Sequence, residues 1–252
     1  MGVPYVMLAA GRDTLAELFR GGRDGFAYRF DTPEGLCQDD AGTTPVTANG
    51  QPIGYARDWS GNGHHATQGI AGARPTWTDA GAGSYASWDG GDWLGTGYVE
   101  GPAMTIGVAW RTSNALDGAM GAYATSPLRA CNLLLAGGGI PGLAAGSWGA
   151  DGSTTIHDSS GPDLRSVTHL LVQRGGSDLV SLYVNGTVVY GPASAHGAPY
   201  QTSQIIVGGY SSGGSPQGLM TGRVWRAIAI GNYVPEPDLR DVFAWLGAPI
   251  GY

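Results

Sequence analysis

Residues 179–190, Leu-Val-Ser-Leu-Tyr-Val-Asn-Gly-Thr-Val-Val-Tyr, constrain the fold more than any other stretch of the chain. Val180, Leu182 and Val184 alternate with Ser181 and Tyr183, so the aliphatic side chains share one face of a strand and the other face is expected to be wetter. Asn185-Gly186 supplies the two residues tolerant of positive φ that a type I′ turn requires. Thr187, Val188, Val189 and Tyr190 are good strand formers for the return. The pattern predicts a β-hairpin and, with it, an all-β chain.

Other segments agree. Residues 167–174 read as a third strand, closed by the turn Gly175-Gly176-Ser177-Asp178. Residues 104–111 alternate strictly, with Met104, Ile106, Val108 and Trp110 on one face and Thr105, Gly107, Ala109 and Arg111 on the other. Burying side chains of that size is worth about 1.5–3 kcal/mol each. The first set, together with Val180, Leu182 and Val184, is expected to face a core between two sheets.

Residues 25–30, 133–136, 146–148, 154–157, 204–209 and 222–230 are further strand candidates. Residues 84–88 and 93–98 flank Asp89-Gly-Gly-Asp92 and read as a second hairpin. Two helices bracket the strands. Thr14-Leu-Ala-Glu17 fits a capping box, with Leu15, Leu18 and Phe19 at helical spacing. After Pro235-Glu-Pro-Asp238, residues Leu239, Val242, Phe243 and Leu246 follow at i, i+3, i+4 and i+7 before Gly247. The simplest parse is an N-terminal extension over 1–24, less integrated than the rest and touching another chain, and one sandwich over 25–252.

Composition excludes several function classes. The chain has 252 residues, forty-five of them Gly, which suits many tight turns. Its net charge is −7, all thirteen cations are Arg, and no basic cluster exists, which argues against nucleic acid as a partner. No apolar run approaches the ~20 residues of a membrane span, so no membrane insertion is expected. Val3 to Ala10 is apolar but short and follows no cation, a poor secretory signal. Two cysteines, Cys37 and Cys131, are too few for a disulfide scaffold.

The run His169-Leu-Leu-Val-Gln-Arg-Gly-Gly176, followed by Leu182-Tyr-Val-Asn-Gly186, resembles the central hairpin of laminin-G-like, concanavalin-A-like domains. The resemblance implies a jelly-roll sandwich of two antiparallel sheets, a fold shared by lectins, adhesive modules and some glycan-cleaving enzymes. Residues 36–52 contain Gln38-Asp-Asp-Ala-Gly-Thr-Thr-Pro-Val-Thr47, and Asp58-Trp-Ser-Gly-Asn-Gly-His-His-Ala-Thr-Gln68 and Ala73-Arg-Pro75 follow. This ordered set resembles a module of tailed-bacteriophage virion proteins, over residues 18–76. It departs from that module at Tyr28-Arg-Phe-Asp-Thr-Pro33. The resemblance implies a virion protein assembled in the host cytoplasm, with copies of itself, other virion proteins and a host-surface glycan as partners.

Ser60-Gly-Asn-Gly63 needs left-handed backbone, and Asp58 is placed to accept its N–H groups. A second reading makes Asp58 and Asn62 oxygen ligands of a metal ion, Ca²⁺, the one cofactor the sequence suggests. His64 and His65, adjacent on an extended segment, are expected to point to opposite faces, one buried and one exposed.

The eight Trp and twelve Tyr are more than one sandwich core must hold. Trp59, Trp77, Trp88, Trp93 and Trp148 fall in or beside turns. Sugar rings stack on exposed aromatics while acidic and amide groups bind their hydroxyls. The carbohydrate-binding candidates are therefore Trp88, Asp89, Asp92, Trp93, Trp148 and Asp151, with capping of the sandwich ends as the alternative role of each Trp.

Catalysis is not expected. A retaining glucanase needs two carboxyl groups about 5 Å apart on one strand face. The four Glu, at 17, 34, 100 and 236, have no carboxylate neighbour of that kind. The reading is a non-enzymatic virion protein acting by glycan adhesion or particle assembly. The alternatives are a purely structural capsid-decoration or tail component and a glycan depolymerase built on Asp residues brought together by folding.

Overall fold

The computed structural model describes residues 14–99, 101, 103–112, 118–125, 128–135, 144–149, 155–157, 168–175, 179–194 and 204–251. The chain opens with helix α1 (Thr14–Leu18) and strands β1 (Gly25–Arg29), β2 (Leu36–Cys37), β3 (Tyr55–Ala56), β4 (Ala66–Thr67) and β5 (Thr76–Thr78). Strands β6 (Tyr85–Asp89), β7 (Leu94–Val99), β8 (Met104–Thr112), β9 (Gly118–Thr125), β10 (Leu128–Leu135), β11 (Ala144–Gly149) and β12 (Thr155–His157) follow. The last part holds β13 (His169–Gly175), β14 (Leu179–Val184), β15 (Thr187–Ser194), β16 (Gln204–Val207), β17 (Tyr210–Ser212), β18 (Ser215–Gln217), β19 (Thr221–Ile230) and helix α2 (Glu236–Gly247).

These strands form the two-sheet, concanavalin-A-like sandwich expected from the sequence. The first sheet runs β15-β14-β13-β8-β19-β6-β5, with β1 also bonded to β19. The second runs β12-β11-β10-β9-β16-β7-β4-β3-β2, with β17 and β18 attached at β9. Among the described strand pairs, β17 with β9 is parallel and the others are antiparallel.

The hairpin of residues 179–190 forms β14 and β15, and its turn has φ +49° at Asn185 and +77° at Gly186. Asn185 does more than turn: its Oδ1 accepts the Leu170 N–H at 2.8 Å, tying the hairpin to β13. Met104, Ile106, Val108, Trp110, Val180 and Leu182 all enter the inter-sheet core, with Val184 packed at its margin. That core is strongly aromatic. Phe26 stacks on Tyr28 at 4.6 Å, Tyr98 meets Phe26 edge-on at 5.8 Å, and Trp88 meets Phe30 edge-on at 6.2 Å.

The outer face of the first sheet departs from expectation. Ser181 and Tyr183 are buried rather than wetted, as are Thr105 and Ala109. The cause is a second core, in which Leu239, Val242, Phe243 and Leu246 of α2, Leu18 of α1 and Phe19 just after it cover Ala109, Leu170, Val172 and Ile228. Gly107 permits the close approach, because a Cβ there would lie 2.9 Å from the Leu246 Cδ1.

Among the described residues ahead of Gly25, Leu18 and Phe19 are thus part of the domain's packing. An apolar sheet face cannot be left in water, and α1 supplies part of its cover. Arg23 adds an ion pair with Asp238 at 2.9 Å.

Strand β19 carries a bulge: Val224 pairs with Trp110 and Arg226 with Ala109, leaving Trp225 as the extra residue. Trp225 joins the outer core while Val224 and Ala227 stay in the inner one. Arg226 lies under α2, donating to the Trp245 carbonyl at 2.6 Å and to both Asp31 oxygens at 3.1 and 2.7 Å. Burial alone would raise the Asp31 pKa, but the bonds and charge of Arg226, helped by Arg29, hold it below the ordinary value.

A lowered folded pKa means that the pair's contribution is fully present above the unfolded value of ~3.9 and is lost as pH falls through the folded value. Asp31→Asn is therefore expected to cost about 3–5 kcal/mol at neutral pH, because it strands a buried guanidinium. It should also flatten the acid limb of the stability curve. Urea titrations at neutral and acid pH check this, and an Asp31→Asn protein with the wild-type loss of stability in acid would contradict the assignment.

Candidate functional site

Two corners carry the polar residues singled out in the sequence. At the first, residues 58–65, the Asp58 carboxylate is an internal acceptor. Its Oδ1 takes the N–H groups of Ala27 and Ser60 at 2.9 and 2.8 Å, and its Oδ2 takes the Ser60 hydroxyl and the His64 N–H at 2.8 and 3.0 Å. Asn62 turns its amide N–H groups toward the Arg23 and Gly25 carbonyls at 3.1 and 3.0 Å.

The calcium reading of Asp58 and Asn62 does not fit this arrangement. The carboxylate is saturated by four donors, and the Asn amide presents N–H groups inward where a cation would need oxygen. Among the described residues, no three His, Cys, Asp or Glu side chains come together as a metal site.

The expected split of the two histidines is also corrected. His65 is exposed and accepts the Asp58 N–H at 3.0 Å, while His64 is half-buried and meets Asp24 at 2.8 Å. Both belong to the turn.

The second corner, residues 89–93, is not a hairpin. Strand β6 pairs with β19 and β5 in the first sheet, whereas β7 pairs with β16 and β4 in the second. The chain crosses from one sheet to the other here. Asp89 Oδ1 accepts the Gly91 N–H at 2.8 Å, and Asp92 Oδ2 accepts the Asp89 N–H at 3.0 Å. Trp88 enters the inter-sheet core at 3% exposure, so its indole offers no stacking face. Gly208, with φ +91°, makes room for it, since a Cβ there would lie 2.3 Å from the Trp88 ring. Asp92 is buried too, and that burial, with Asp89 nearby, pushes its carboxyl up to about 6. Trp88 and Asp92 are therefore corner residues and not ligand contacts; a crossing between sheets must bury its ends.

Asp89 and Trp93 remain at the surface, on different faces. Strand alternation puts Asp89 with Ser87 on the outer face of the first sheet, opposite Ala86 and Trp88, which enter the core. Trp93 precedes Leu94 of the core and so lies on the outer face of the second sheet. Its backbone is fixed from both sides, by its N–H to the Ala73 carbonyl at 3.1 Å and by the buried Gln68 amide to its carbonyl at 2.8 Å.

The half-exposed Trp93 indole extends along β7, with its six-membered ring 3.3 Å from where a Gly95 Cβ would stand. Gly97 continues the same side of the strand at φ +66°, with Val99, 43% exposed, at the end. Gln204 of β16 borders the line, its Oε1 accepting the Gly97 N–H at 2.8 Å. Gly95 lies buried beneath the Trp93 ring and the Gln204 amide, and the exposed Gly97 beyond them leaves a shallow trough with an aromatic wall and an amide edge. Such a trough can hold the apolar face of a sugar ring against the indole and bond a hydroxyl through the Gln204 amide.

Trp148 lies in β11, in register with Cys131. Asp151 falls outside the described residues. Trp77 is buried and donates its indole N–H to the Phe30 carbonyl at 3.1 Å, so it caps the sandwich. Sequence reasoning missed Gln204 and the glycine pair. The signal was the alternation Trp93-x-Gly95-x-Gly97, a strand with one face stripped of side chains beside an aromatic.

No family model matches the chain, and no curated protein matches it in sequence. Its fold is similar to that of a GH54 α-L-arabinofuranosidase soaked with a cyclic sulfate inhibitor, with TM-score 0.64 and 12% identity over 93% of this chain and 65% of that one. An arabinofuranosidase complexed with arabinofuranosyl-α-1,2-xylobiose gives TM-score 0.55 at 15% identity, with the same coverage. Domain 4 of a GH43 extracellular arabinanase from Geobacillus stearothermophilus, in complex with arabinotriose, gives TM-score 0.51 at 15% identity over 87% of this chain and 98% of that one. The chain thus spans 65% of the length of the arabinofuranosidases it resembles. At these identities the likeness is one of fold.

The Asp92 environment has a measurable consequence. Its folded pKa of about 6 exceeds the unfolded value, so its contribution is fully present below ~3.9 and is lost as pH rises through about 6. The melting temperature is expected to climb as pH is lowered from 7.5 to 5. Asp92→Asn should abolish that climb and melt higher than wild type at pH 7.5. A wild-type protein without the climb, or an Asp92→Asn protein that melts lower at pH 7.5, would show that burial does not raise the Asp92 pKa.

Proposed function

We propose that this chain is a non-catalytic glycan-binding sandwich, displayed in many copies on a tailed-phage virion together with other virion proteins, where it attaches the particle to host-surface sugar. The observation that carries the binding role is the Trp93 trough. A half-exposed indole lies over Gly95 beside Gln204, on a sheet face where Thr67, Gly97 and Val99 are exposed. The two bonds to the Trp93 main chain order the strand end that carries the indole before any sugar arrives, which favours a role in recognition.

The non-catalytic part is supported by the placement of the acids. Glu17 lies in α1, Glu34 in a turn and Glu236 in α2, while Asp31 and Asp58 are committed to Arg226 and to the first corner. The virion part rests on the resemblance of residues 36–52 and 58–68 to the phage module. The neighbouring folds include domains whose complexes hold arabinotriose and an arabinofuranosyl-xylobiose, and these saccharides are the natural first probes.

One stacked ring contributes about 1 kcal/mol, so a single copy binds weakly and attachment depends on avidity. The test uses beads bearing many copies of the chain and a panel of neutral oligosaccharides that includes arabinotriose. Trp93→Ala is expected to lower retention of the preferred sugar about fivefold or more per site while leaving the melting temperature unchanged. On particles it should lower adsorption to host cells without lowering particle yield. A Trp93→Ala protein that retains the panel as wild type does would remove Trp93 from recognition, and a lowered particle yield would make it an assembly residue.

A further inference from the structure

The outer face of the first sheet is covered by α1 and α2 over only part of its area. Beyond that cover, Arg223 of β19 stands directly opposite Arg111 of β8. Ala109 of β8 belongs to the outer core, so Arg111, two residues on, shares that outer face. Val224 belongs to the inner core, so its neighbour Arg223 also points outward. Arg223 is exposed and Arg111 half-exposed. Like charges directly opposed on antiparallel strands destabilise a sheet. A neutral pair would serve the fold better.

The usual remedy for such a pair is a carboxylate, and none is engaged here among the described residues. Several other described arginines are spent on ion pairs: Arg226 on Asp31, Arg174 on Glu236, Arg23 on Asp238 and Arg74 on Asp40. Arg111 makes no hydrogen bond or ion pair among the described residues, and Arg223 only stacks its guanidinium on the Tyr85 ring at 4.6 Å. Ser87 continues the row on the other side of Arg223, and Thr76 beyond it, with Thr78 and Ser87 sharing a hydrogen bond at 2.9 Å. Asp89 lies one step along the same face, with its Oδ1 on the Gly91 N–H.

We infer that the Arg111–Arg223 pair, with Tyr85, Ser87 and Thr76, is a second binding site, for the oxyanion groups of an acidic polysaccharide. Two unspent guanidiniums side by side present paired N–H forks to a carboxylate or sulfate, the geometry that arginine provides and lysine does not. The Tyr85 ring backs the Arg223 guanidinium, the flanking hydroxyls suit the sugar that carries the anion, and a repeating polyanion engages many copies at once. The inference does not rest on the Trp93 reading: the two sites lie on opposite faces of the sandwich and respond to different ligands.

The test measures binding of the whole chain, at low ionic strength, to polygalacturonate, dextran sulfate, neutral dextran and poly-glutamate. Polygalacturonate and dextran sulfate separate the carboxylated from the sulfated source. Binding to one of them is expected to exceed that to neutral dextran and to fall as salt rises through ~0.1 M. Arg111→Gln and Arg223→Gln should each weaken it about tenfold, with no loss of melting temperature because each relieves a repulsion. Asp89→Asn, which removes the carboxylate next along that face, should strengthen it. Binding undiminished in the Arg111→Gln/Arg223→Gln double variant overturns the inference, as does absence of binding to both acidic polysaccharides or equal binding to neutral dextran. Tighter binding to poly-glutamate than to either polysaccharide overturns it in favour of an acidic protein partner.

Discussion

Strand β19 has to bury both of its faces, and most of the architecture follows from that demand. It bonds β8 along one edge and β6 and β1 along the other, so its inner residues Val224, Ala227 and Ala229 lie at the centre of the inter-sheet core. Its outer residues Trp225, Ile228 and Ile230 then need a roof, which α2 and α1 provide. The bulge at Trp225 reconciles the two requirements by placing two successive large residues, Trp225 and Arg226, on the helix side without disturbing the inner alternation. A buried guanidinium is costly unless its nitrogens find partners. Arg226 meets that condition with Asp31, the Trp245 carbonyl and the Trp245 ring at 5.0 Å.

A second anchor holds the other end of the same roof. Arg174 of β13, buried at 4% exposure, donates to the Val234 carbonyl at 2.8 Å and meets both the Tyr183 hydroxyl and the Glu236 carboxylate. Tyr183 in turn donates to Glu236 at 3.0 Å. Burial, with Glu236 beside it, pushes the phenol up to about 12, so it stays a donor throughout the physiological range. Helix α2 therefore sits on two arginines. Arg174 holds its first residue, Glu236, and Arg226 holds Trp245 near its end. Both arginines come from the sheet below, which fixes where the helix lies along the strands.

How much of this was legible in the residues depends on whether the governing contact is local. The hairpin at Asn185-Gly186, the alternation from Met104 to Trp110 and the α2 stripe are decided within a few residues, and each stands in the structure as read. Whether Ser181 and Tyr183 are wet depends on a helix some fifty or more residues away in sequence, and alternation alone gave the wrong answer. The crossing at Asp89-Gly-Gly-Asp92 shows the same limit, because two strands and a glycine pair signal a reversal without saying which sheet receives the second strand. The aromatic-plus-acid signature chosen for sugar binding there is also the signature of a corner. Trp88 fills the space left by Gly208, more than a hundred residues later, and only the fold shows that it does.

What the fold leaves over is then informative. Much apolar surface and the arginines Arg23, Arg174 and Arg226 are consumed by the two cores and the roof, so what stays unspent at the surface stands out. On the second sheet that remainder is neutral: the Trp93 indole, the exposed Gly97 and the Gln204 amide. On the first sheet it is cationic, an opposed pair of arginines in a chain whose net charge is −7. General electrostatic attraction to polyanions cannot arise from a molecule of that charge, since beyond a Debye length of about 10 Å at 0.1 M salt its overall field is weak and of the wrong sign. Recognition of an acidic group must then be short-range and geometric, through forked N–H groups at contact distance. Neutral stacking on one face and forked hydrogen bonding on the other are both weak in a single copy, and both gain by repetition.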